Sequence, residues 1–424
     1  MNLNKFFRRI IFYLLALESR LVIWKYKPKI VAITGSVGKT STKDAVYRVL
    51  SGEYYVRKSE KSYNSEIGLP LTVLGLPNGW NDISIWLSNF LKGLRLILFP
   101  SKYPTWLVLE VGTGKPGDIK RTAGWLRADA VVVTAIGETP VHVEFFPSKQ
   151  HLVEEKSELV KTLKPDGVLL LNADDADVLG MKEKTKGRVF TYGWGPADIV
   201  ASGESIHYDS VGIPDGLVFR VDANGKSLPV EVDGVFGKNH ISAALAALGL
   251  ATALKLNLLE AVERLKNYEF APGRMRSLPG AGGSLIIDDT YNSSPLASYA
   301  ALGTLGEIKI DKTSGRKIAV LADMLELGKH TEEAHKNVGE VARERADVVI
   351  SVGPRSKAIG AEHHFSNSRE AGEFLKTFIK KGDIVLVKGS QSMRMERVVE
   401  AILDPTVDKL THLVRQEPEW LKRA

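Results

Sequence analysis

The stretch Lys29-Ile-Val-Ala-Ile-Thr-Gly35-Ser36-Val37-Gly38-Lys39-Thr40-Ser41-Thr42 decides the fold. A short apolar run reads as a buried strand and ends in a glycine turn. From Lys39 to Leu50 the apolar residues take helical spacing. Strand, glycine loop and helix in that register are the required context for a phosphate-binding loop. Gly35 and Gly38 let backbone N–H groups turn toward phosphate oxygens, and the helix N-terminus adds a favourable dipole. Lys39 is placed to reach terminal phosphates, and the Thr40 hydroxyl to ligate Mg²⁺. The loop is the shorter Gly-x-x-Gly-Lys-Thr form, so Gly35, Ser36, Val37, Gly38, Lys39, Thr40 and Ser41 are the expected nucleotide cradle. The alternative reading is a plain Gly/Ser turn before a helix.

Working outward, Trp106–Glu110, Ala130–Thr134 and Val168–Asn172 are further buried-strand segments, the first two followed by glycine-containing turns. Strands alternating with helices predict a parallel, doubly wound sheet. Residues 197–236 change to short alternating segments split by Asp-Gly and Asn-Gly, which predicts an antiparallel insert. Helix returns at Ile241–Leu254. After Ala271-Pro-Gly-Arg274 the strand–helix rhythm restarts with Leu285–Asp288, Lys317–Leu321, Val348–Val352 and Ile384–Lys388. The class is therefore α/β: a phosphate-loop, doubly wound central domain with an antiparallel insert (residues 29–270), then a second Rossmann-like α/β domain (271–404). A basic, apolar N-terminal helix (1–28) precedes them and a C-terminal tail (405–424) follows. The two domains would meet across a cleft, a usual place for joining two substrates.

Composition narrows the function. The 424 residues contain no cysteine, which excludes disulfides, thiolate metal sites and cysteine nucleophiles and suits a reducing, cytoplasmic compartment. The net charge of +7 invites a nucleic-acid reading. Yet the first thirty residues hold seven Lys/Arg against Glu18 alone, so the remainder is close to neutral and no nucleic-acid face is expected.

Further motifs follow the loop in order: Tyr63-Asn-Ser-Glu-Ile-Gly-Leu-Pro70, Glu110-Val-Gly-Thr-Gly-Lys-Pro-Gly-Asp118, Asn172-Ala-Asp-Asp175, Pro272-Gly-Arg-Met275, Asp288-Asp-Thr-Tyr-Asn-Ser-Ser-Pro295, Asp323-Met-Leu-Glu-Leu-Gly328 and Lys388-Gly-Ser390. With the Thr-Gly-x-x-Gly-Lys-Thr-x-Thr loop, this series resembles the Mur ligases, the enzymes that build the peptide of bacterial cell-wall precursors. The resemblance covers roughly residues 29–403. It implies an ATP-dependent carboxylate–amine ligase working through an acyl phosphate. The later motifs are similar to the branch that adds D-alanyl-D-alanine to a muramoyl-peptide acceptor, so that dipeptide and a peptidoglycan precursor are the expected substrates. A related ligase with another amine or carboxylate, or a protein using ATP as a switch, stays open as an alternative. The family's separate N-terminal domain, which binds the UDP portion, is expected to be lacking.

The resemblance also implies site roles. Glu110 is the expected partner of Thr40 on a first Mg²⁺. His142 and a carbamylated Lys156 are expected to hold a second. A protonated lysine cannot ligate a cation, but carbamylation supplies the anionic oxygen that Mg²⁺ prefers. Read from its neighbours alone, Lys156 would be an exposed helix lysine pairing with Glu154, Glu155 or Glu158. Asn172, Asn239, Asp289, Tyr291 and Asn292 are candidates for the adenosine side or for domain closure. Lys39, His142, Lys156, Arg274 and Lys388 are the candidate catalytic set, with Arg274 and Lys388 as cations over the reacting phosphate or the acceptor.

In residues 1–28, Phe6, Phe7, Ile10, Ile11, Leu14, Leu17, Leu21 and Trp24 recur at helical spacing while Lys5, Arg8, Arg9 and Arg20 cluster. That pattern fits an interfacial helix at the inner face of a membrane, with Ile85–Phe99 as a second apolar, basic stretch beside it. It fits equally a helix packed on the protein's own first domain. The uncharged run Ile10–Leu17 is far shorter than the roughly 20 residues a span requires.

Overall fold

The computed structural model describes residues 3–60, 63–80, 82–137, 145–266, 270–310, 315–417 and 420, with side chains from residue 10 onward. The expected parallel sheet is built from β1 (Lys29–Thr34), β2 (Val56–Lys58), β3 (Trp106–Glu110), β4 (Ala128–Val133), β5 (Leu163–Asn172) and β6 (Arg188–Gly193). The segment read as an insert forms β7 (Ile199–Tyr208), β8 (Pro214–Ala223) and β9 (Lys226–Asp233). It is not a separate layer. β7 pairs in parallel with β6, and β8 and β9 continue antiparallel from it, giving one nine-stranded sheet in the order β2-β3-β1-β4-β5-β6-β7-β8-β9.

Alternation along β1 explains why both faces are covered. Val31 and Ile33 enter one core and Ile30 and Ala32 the other, so a continuous apolar strand feeds two layers. The first core lies beneath the helices Lys39–Ser51, Lys238–Ala253 and Leu258–Lys266. The second lies beneath Leu3–Tyr26, Gly68–Leu74 and Ile83–Leu98.

The second unit contains β10 (Arg276–Gly280), β11 (Ser284–Asp289), β12 (Lys317–Ala322), β13 (Val348–Val352), β14 (His363–Phe365) and β15 (Ile384–Lys388). Their order is β10-β11-β15-β12-β13-β14, parallel except for the edge pair β10–β11. Residues 405–417 are more than a trailing tail. They include a short helix, Lys409–His412, and bury Leu413, Val414 and Arg415.

The two units are joined by Phe236, which follows the last strand of the first sheet yet lies fully buried in the core of the second. Its N–H donates to the Met275 carbonyl at 2.9 Å. Truncating a buried phenylalanine costs about 3–5 kcal/mol, so Phe236→Ala should lower the unfolding midpoint of the second unit markedly. Urea denaturation followed by hydrogen exchange on β11 and β12 measures it, and an unchanged midpoint would show that Phe236 is no anchor.

Candidate active site

Because β1 lies between β3 and β4, the ends of all three strands reach the same edge. Ile33 stands opposite Glu110 and Thr34 opposite Val133. The glycine loop leaves β1 here and is anchored by Ser36 and Val37, whose N–H groups donate to the Ala135 carbonyl at 2.8 and 3.0 Å. Gly35 has φ of 144°, and a Cβ there would overlap the Thr134 hydroxyl. The helix Lys39–Ser51 starts at Gly38, so its first N–H groups, which have no intrahelical acceptors, face the loop's concavity.

Several expected residues lie at this loop. The Thr40 hydroxyl donates to Glu110 Oε2 at 3.0 Å. Asn64 Nδ2 donates to the other carboxylate oxygen at 3.2 Å, and the Glu110 N–H to the Ser59 hydroxyl at 3.2 Å. A hydroxyl and a carboxylate at this spacing are the hard oxygen donors that suit Mg²⁺, which takes one or two protein oxygens and completes its shell with water and phosphate. Lys39 Nζ donates to the Ser36 carbonyl at 3.1 Å. Burial holds its pKa below the usual lysine range, with Glu110 pulling it up and Arg274 pushing it further down.

Lys156 is buried rather than exposed. It ends the helix Lys149–Ser157, and its Nζ donates to the Gly35 carbonyl at 2.8 Å. Its acidic neighbour Glu155 is engaged elsewhere, accepting from the Gly117 and Ile119 N–H groups at 2.6 Å each. Burial first, then the charge of Lys39, pushes the Lys156 ammonium well below its ordinary pKa, against an upward pull from Glu155. His142, the expected companion of Lys156, lies outside the described residues, as does Glu144.

The second unit contributes the opposite wall. Arg274 Nη2 donates to the Thr40 hydroxyl at 3.2 Å, and its guanidinium lies 3.8 Å from the centroid of the Tyr291 ring. Lys388, at the end of β15, donates to Asp289 Oδ2 at 2.6 Å and to the Asn292 carbonyl at 3.0 Å. Ser36, Gly38, Ser41, Arg274, Asp289, Asn292 and Lys388 line a pocket of about 70 Å³ beside the loop. Adjoining it is a cleft of about 800 Å³ between the two units, lined by Val37, Gly38, Asn172, Asp174, Trp194 and Asn239 on one side and Tyr299, His330 and Asn337 on the other. Asn172 and Asn239 therefore lie apart from the metal-donor pair, in the roomier cleft. His240 faces neither the cleft mouth nor solvent. Burial lowers its pKa to about 4, so the ring is neutral and its Nε2–H donates to the Arg274 carbonyl at 2.8 Å.

Sequence reasoning missed several residues of this site. Lys43 and Asp44 are buried beside Glu110, Lys43 Nζ lying 3.9 Å from Glu110 Oε2. Spacing one turn beyond Thr40 was the available signal. Arg415 donates to the carbonyls of Thr290 and Tyr291 at 3.1 and 2.5 Å, holding the loop that carries Asp289, Tyr291 and Asn292. Nothing in its local sequence announces that role. The loop geometry yields a direct test. Gly35→Ala should weaken ATP binding at least tenfold by calorimetry, because a side chain there must displace Thr134 or the loop. Undiminished affinity would show that the loop is not shaped by Gly35.

Comparison with known proteins agrees with this geometry. The Mur ligase middle domain matches residues 33–251, and the Mur ligase, glutamate ligase domain matches residues 273–391. The UDP-N-acetylmuramoyl-tripeptide–D-alanyl-D-alanine ligase of Bacillus subtilis (strain 168) is 29% identical over 390 residues, 89% of this chain and 76% of that protein. The Escherichia coli (strain K12) ligase of the same name is 29% identical over 382 residues, with 88% and 76% covered. Among solved structures, the MurF ligase of Thermotoga maritima in complex with ADP superposes with a TM-score of 0.77 at 26% identity, covering 92% of this chain and 83% of that one. The chain belongs to the Mur ligase family of ATP-dependent, amide-bond-forming ligases.

Proposed function

We propose that this ligase adds D-alanyl-D-alanine to the terminal carboxylate of a muramoyl-peptide precursor, through an acyl phosphate. The observation that carries the reading is the convergence on one phosphate loop of Thr40 and Glu110 from the first unit, Arg274 from the second and the buried amine of Lys156. The relatives named for this reaction supply the substrates.

In the first step a carboxylate oxygen of the acceptor attacks the γ-phosphorus of ATP. The bond to the β-phosphate oxygen breaks, ADP departs, and the carboxylate becomes an acyl phosphate. In the second, the amine attacks the acyl carbon, phosphate leaves with the carbon–oxygen electron pair, and one proton is released as the amide forms. Both steps build charge on phosphate oxygens, so positioning and cations govern the rate. Lys39 and the loop N–H groups hold the β- and γ-phosphates. Arg274 and Lys388 reach the transferred phosphoryl group from the second unit. Thr40 and Glu110 would hold Mg²⁺, which would supply charge neutralisation at the phosphates. Asn172 and Asn239 take the adenosine side of the cleft.

Lys156 carries a carbamate in the working enzyme. The free-base form of its amine would attack CO₂, forming an N–C bond with release of one proton, and the resulting anionic oxygen would, with His142, suit a second Mg²⁺. Steady-state assays of ADP release test the overall reading. Turnover should require acceptor and D-alanyl-D-alanine together, and ATP turnover indifferent to both would point instead to a nucleotide switch. Thr40→Ala and Glu110→Ala should each lower kcat about 10²–10³-fold with the fold intact. Near-normal turnover in Glu110→Ala would remove it from the metal site. With ¹³C-bicarbonate, NMR should detect a carbamate carbon that vanishes in Lys156→Ala. No such resonance in the unsubstituted enzyme would refute the modification.

A further inference from the structure

The N-terminal helix Leu3–Tyr26 packs beside the helix Ile83–Leu98 over the same core of the first sheet. Each buries one face. Phe12, Leu15, Ser19 and Val22 turn inward from the first, Trp86, Asn89 and Gly93 from the second. Their seam is close, since a Cβ on Gly93 would collide with the Glu18 carboxylate. Lys25 ties the helix ends together, its Nζ donating to the carbonyls of Leu96, Ile97 and Phe99 at 2.8, 3.0 and 2.7 Å.

What these helices leave outside is unusual for a surface. Leu14, Leu17, Leu21 and Trp24 follow one another at helical spacing on the first, and Leu87, Leu91, Leu94 and Leu98 on the second, all exposed. Twelve of the twenty-one large hydrophobic residues exposed among the described ones fall within residues 10–24 and 83–99, so the apolar surface is concentrated here rather than scattered. Trp24 is 77% exposed, Leu98 69% and Ile83 82%. A concentrated apolar face of this kind marks an interaction surface.

The charge around it selects the partner. Residues 10–29 and 82–102 hold seven Lys/Arg against two acids, Glu18 and Asp82. Arg20, Lys92, Arg95 and Lys102 are exposed beside the leucines. Glu18 is buried in the seam, where burial pushes its carboxyl up to about 7, so it sets no full negative charge against the cations. No helix among the described residues is long and apolar enough to cross a membrane. Leucine and tryptophan flanked by lysine and arginine, on helices lying flat over a folded core, match a bilayer interface with anionic headgroups.

We propose that the outer face of the helices Leu3–Tyr26 and Ile83–Leu98 docks on an anionic lipid bilayer, its apolar side chains entering the headgroup region and Arg20, Lys92 and Arg95 meeting lipid phosphates. Long basic side chains suit this, because their stems lie along apolar surface while their heads reach phosphate. The docking does not depend on which amine or carboxylate the ligase joins.

Vesicle co-sedimentation of the full chain tests it, using phosphatidylcholine vesicles with and without phosphatidylglycerol. The protein should pellet with the anionic vesicles, less so as salt rises, and remain in the supernatant with neutral ones. The triple variant Trp24→Ser, Leu91→Ser, Leu98→Ser should lose at least about tenfold in partitioning, and Arg20→Gln, Lys92→Gln, Arg95→Gln should lose the preference for phosphatidylglycerol. All six positions are solvent-exposed, and circular dichroism melts identical to the parent verify that the variants fold. Trp24 fluorescence should shift blue on binding, a change absent from Trp24→Phe. The proposal is overturned if the unsubstituted chain stays in the supernatant with anionic vesicles at low salt. It is equally overturned if the apolar triple variant pellets as well as the parent, or if light scattering shows a dimer that this variant dissolves while vesicles capture nothing.

Discussion

The register of β1 between β3 and β4 fixes where every group of the first unit can act. With Ile33 opposite Glu110 and Thr34 opposite Val133, the glycine loop, the carboxylate and Thr134 emerge at one edge of the sheet. A slip of one residue would turn Val31 and Ile33 into the wrong core and reverse the side chains at the strand ends. Burial on both faces therefore holds the register, and the register makes the 3.0 Å approach of Thr40 to Glu110 possible. Core packing and site geometry are one constraint here.

The second unit reaches that edge through a relay rather than a single contact. Arg415 grips the carbonyls of Thr290 and Tyr291, the Tyr291 ring lies under Arg274, and Arg274 reaches Thr40. Glu396 completes the relay by binding Arg415 at 2.8 Å and Arg394 at 2.5 Å, with all three side chains buried. A buried charge network of this sort is worth little net stability but is costly to break, which suits it to fixing a loop. The segment after residue 404 thus braces the loop that carries Asp289, Tyr291 and Asn292, through the carbonyls of Thr290 and Tyr291 and with the Arg415 guanidinium 5.8 Å from the Tyr291 ring centroid.

The strand–helix alternation and the restart after Arg274 were legible because fully buried parallel strands leave continuous apolar runs with glycine turns, as in Lys29–Ile33 and Ile384–Lys388. Short or edge strands were not, because β2 has three residues and β14 only His-His-Phe, too few to show a period. The run from 197 to 236 announced its antiparallel character but not its attachment, since pairing of β6 with β7 rests on Tyr192 and Gly193 alone. In the site, Lys39, Thr40 and Glu110 lie at strand and helix ends, where sequence position implies direction. Lys156 is the opposite case. Three glutamates stand within two residues of it, and local pairing would leave it in solvent. Only the tertiary fold shows Glu155 committed to two backbone N–H groups and the lysine turned inward. The N-terminal helix was ambiguous for a related reason. It carries two apolar faces, one sunk in the core and one exposed, and the pattern alone did not separate them.

The charges around the loop explain why the protein alone is an incomplete electrostatic object. Lys39, Lys43, Lys156, Lys388 and Arg274 gather there, against Glu110, Asp44 and Asp289. Most of these groups are buried, and burial disfavours the charged form of each lysine that lacks a close anion. Lys388 is matched by Asp289, and Asp44 is shared by Lys43 and Lys58. Lys39 and Lys156 have backbone carbonyls as their hydrogen-bond acceptors instead, and both are held below the ordinary lysine range. A polyphosphate in the loop would bring negative charge beside Lys39 and Arg274, which favours the charged form of a buried lysine. Any ligand that binds only this folded arrangement also stabilises it, by an amount that grows with the logarithm of its concentration relative to Kd.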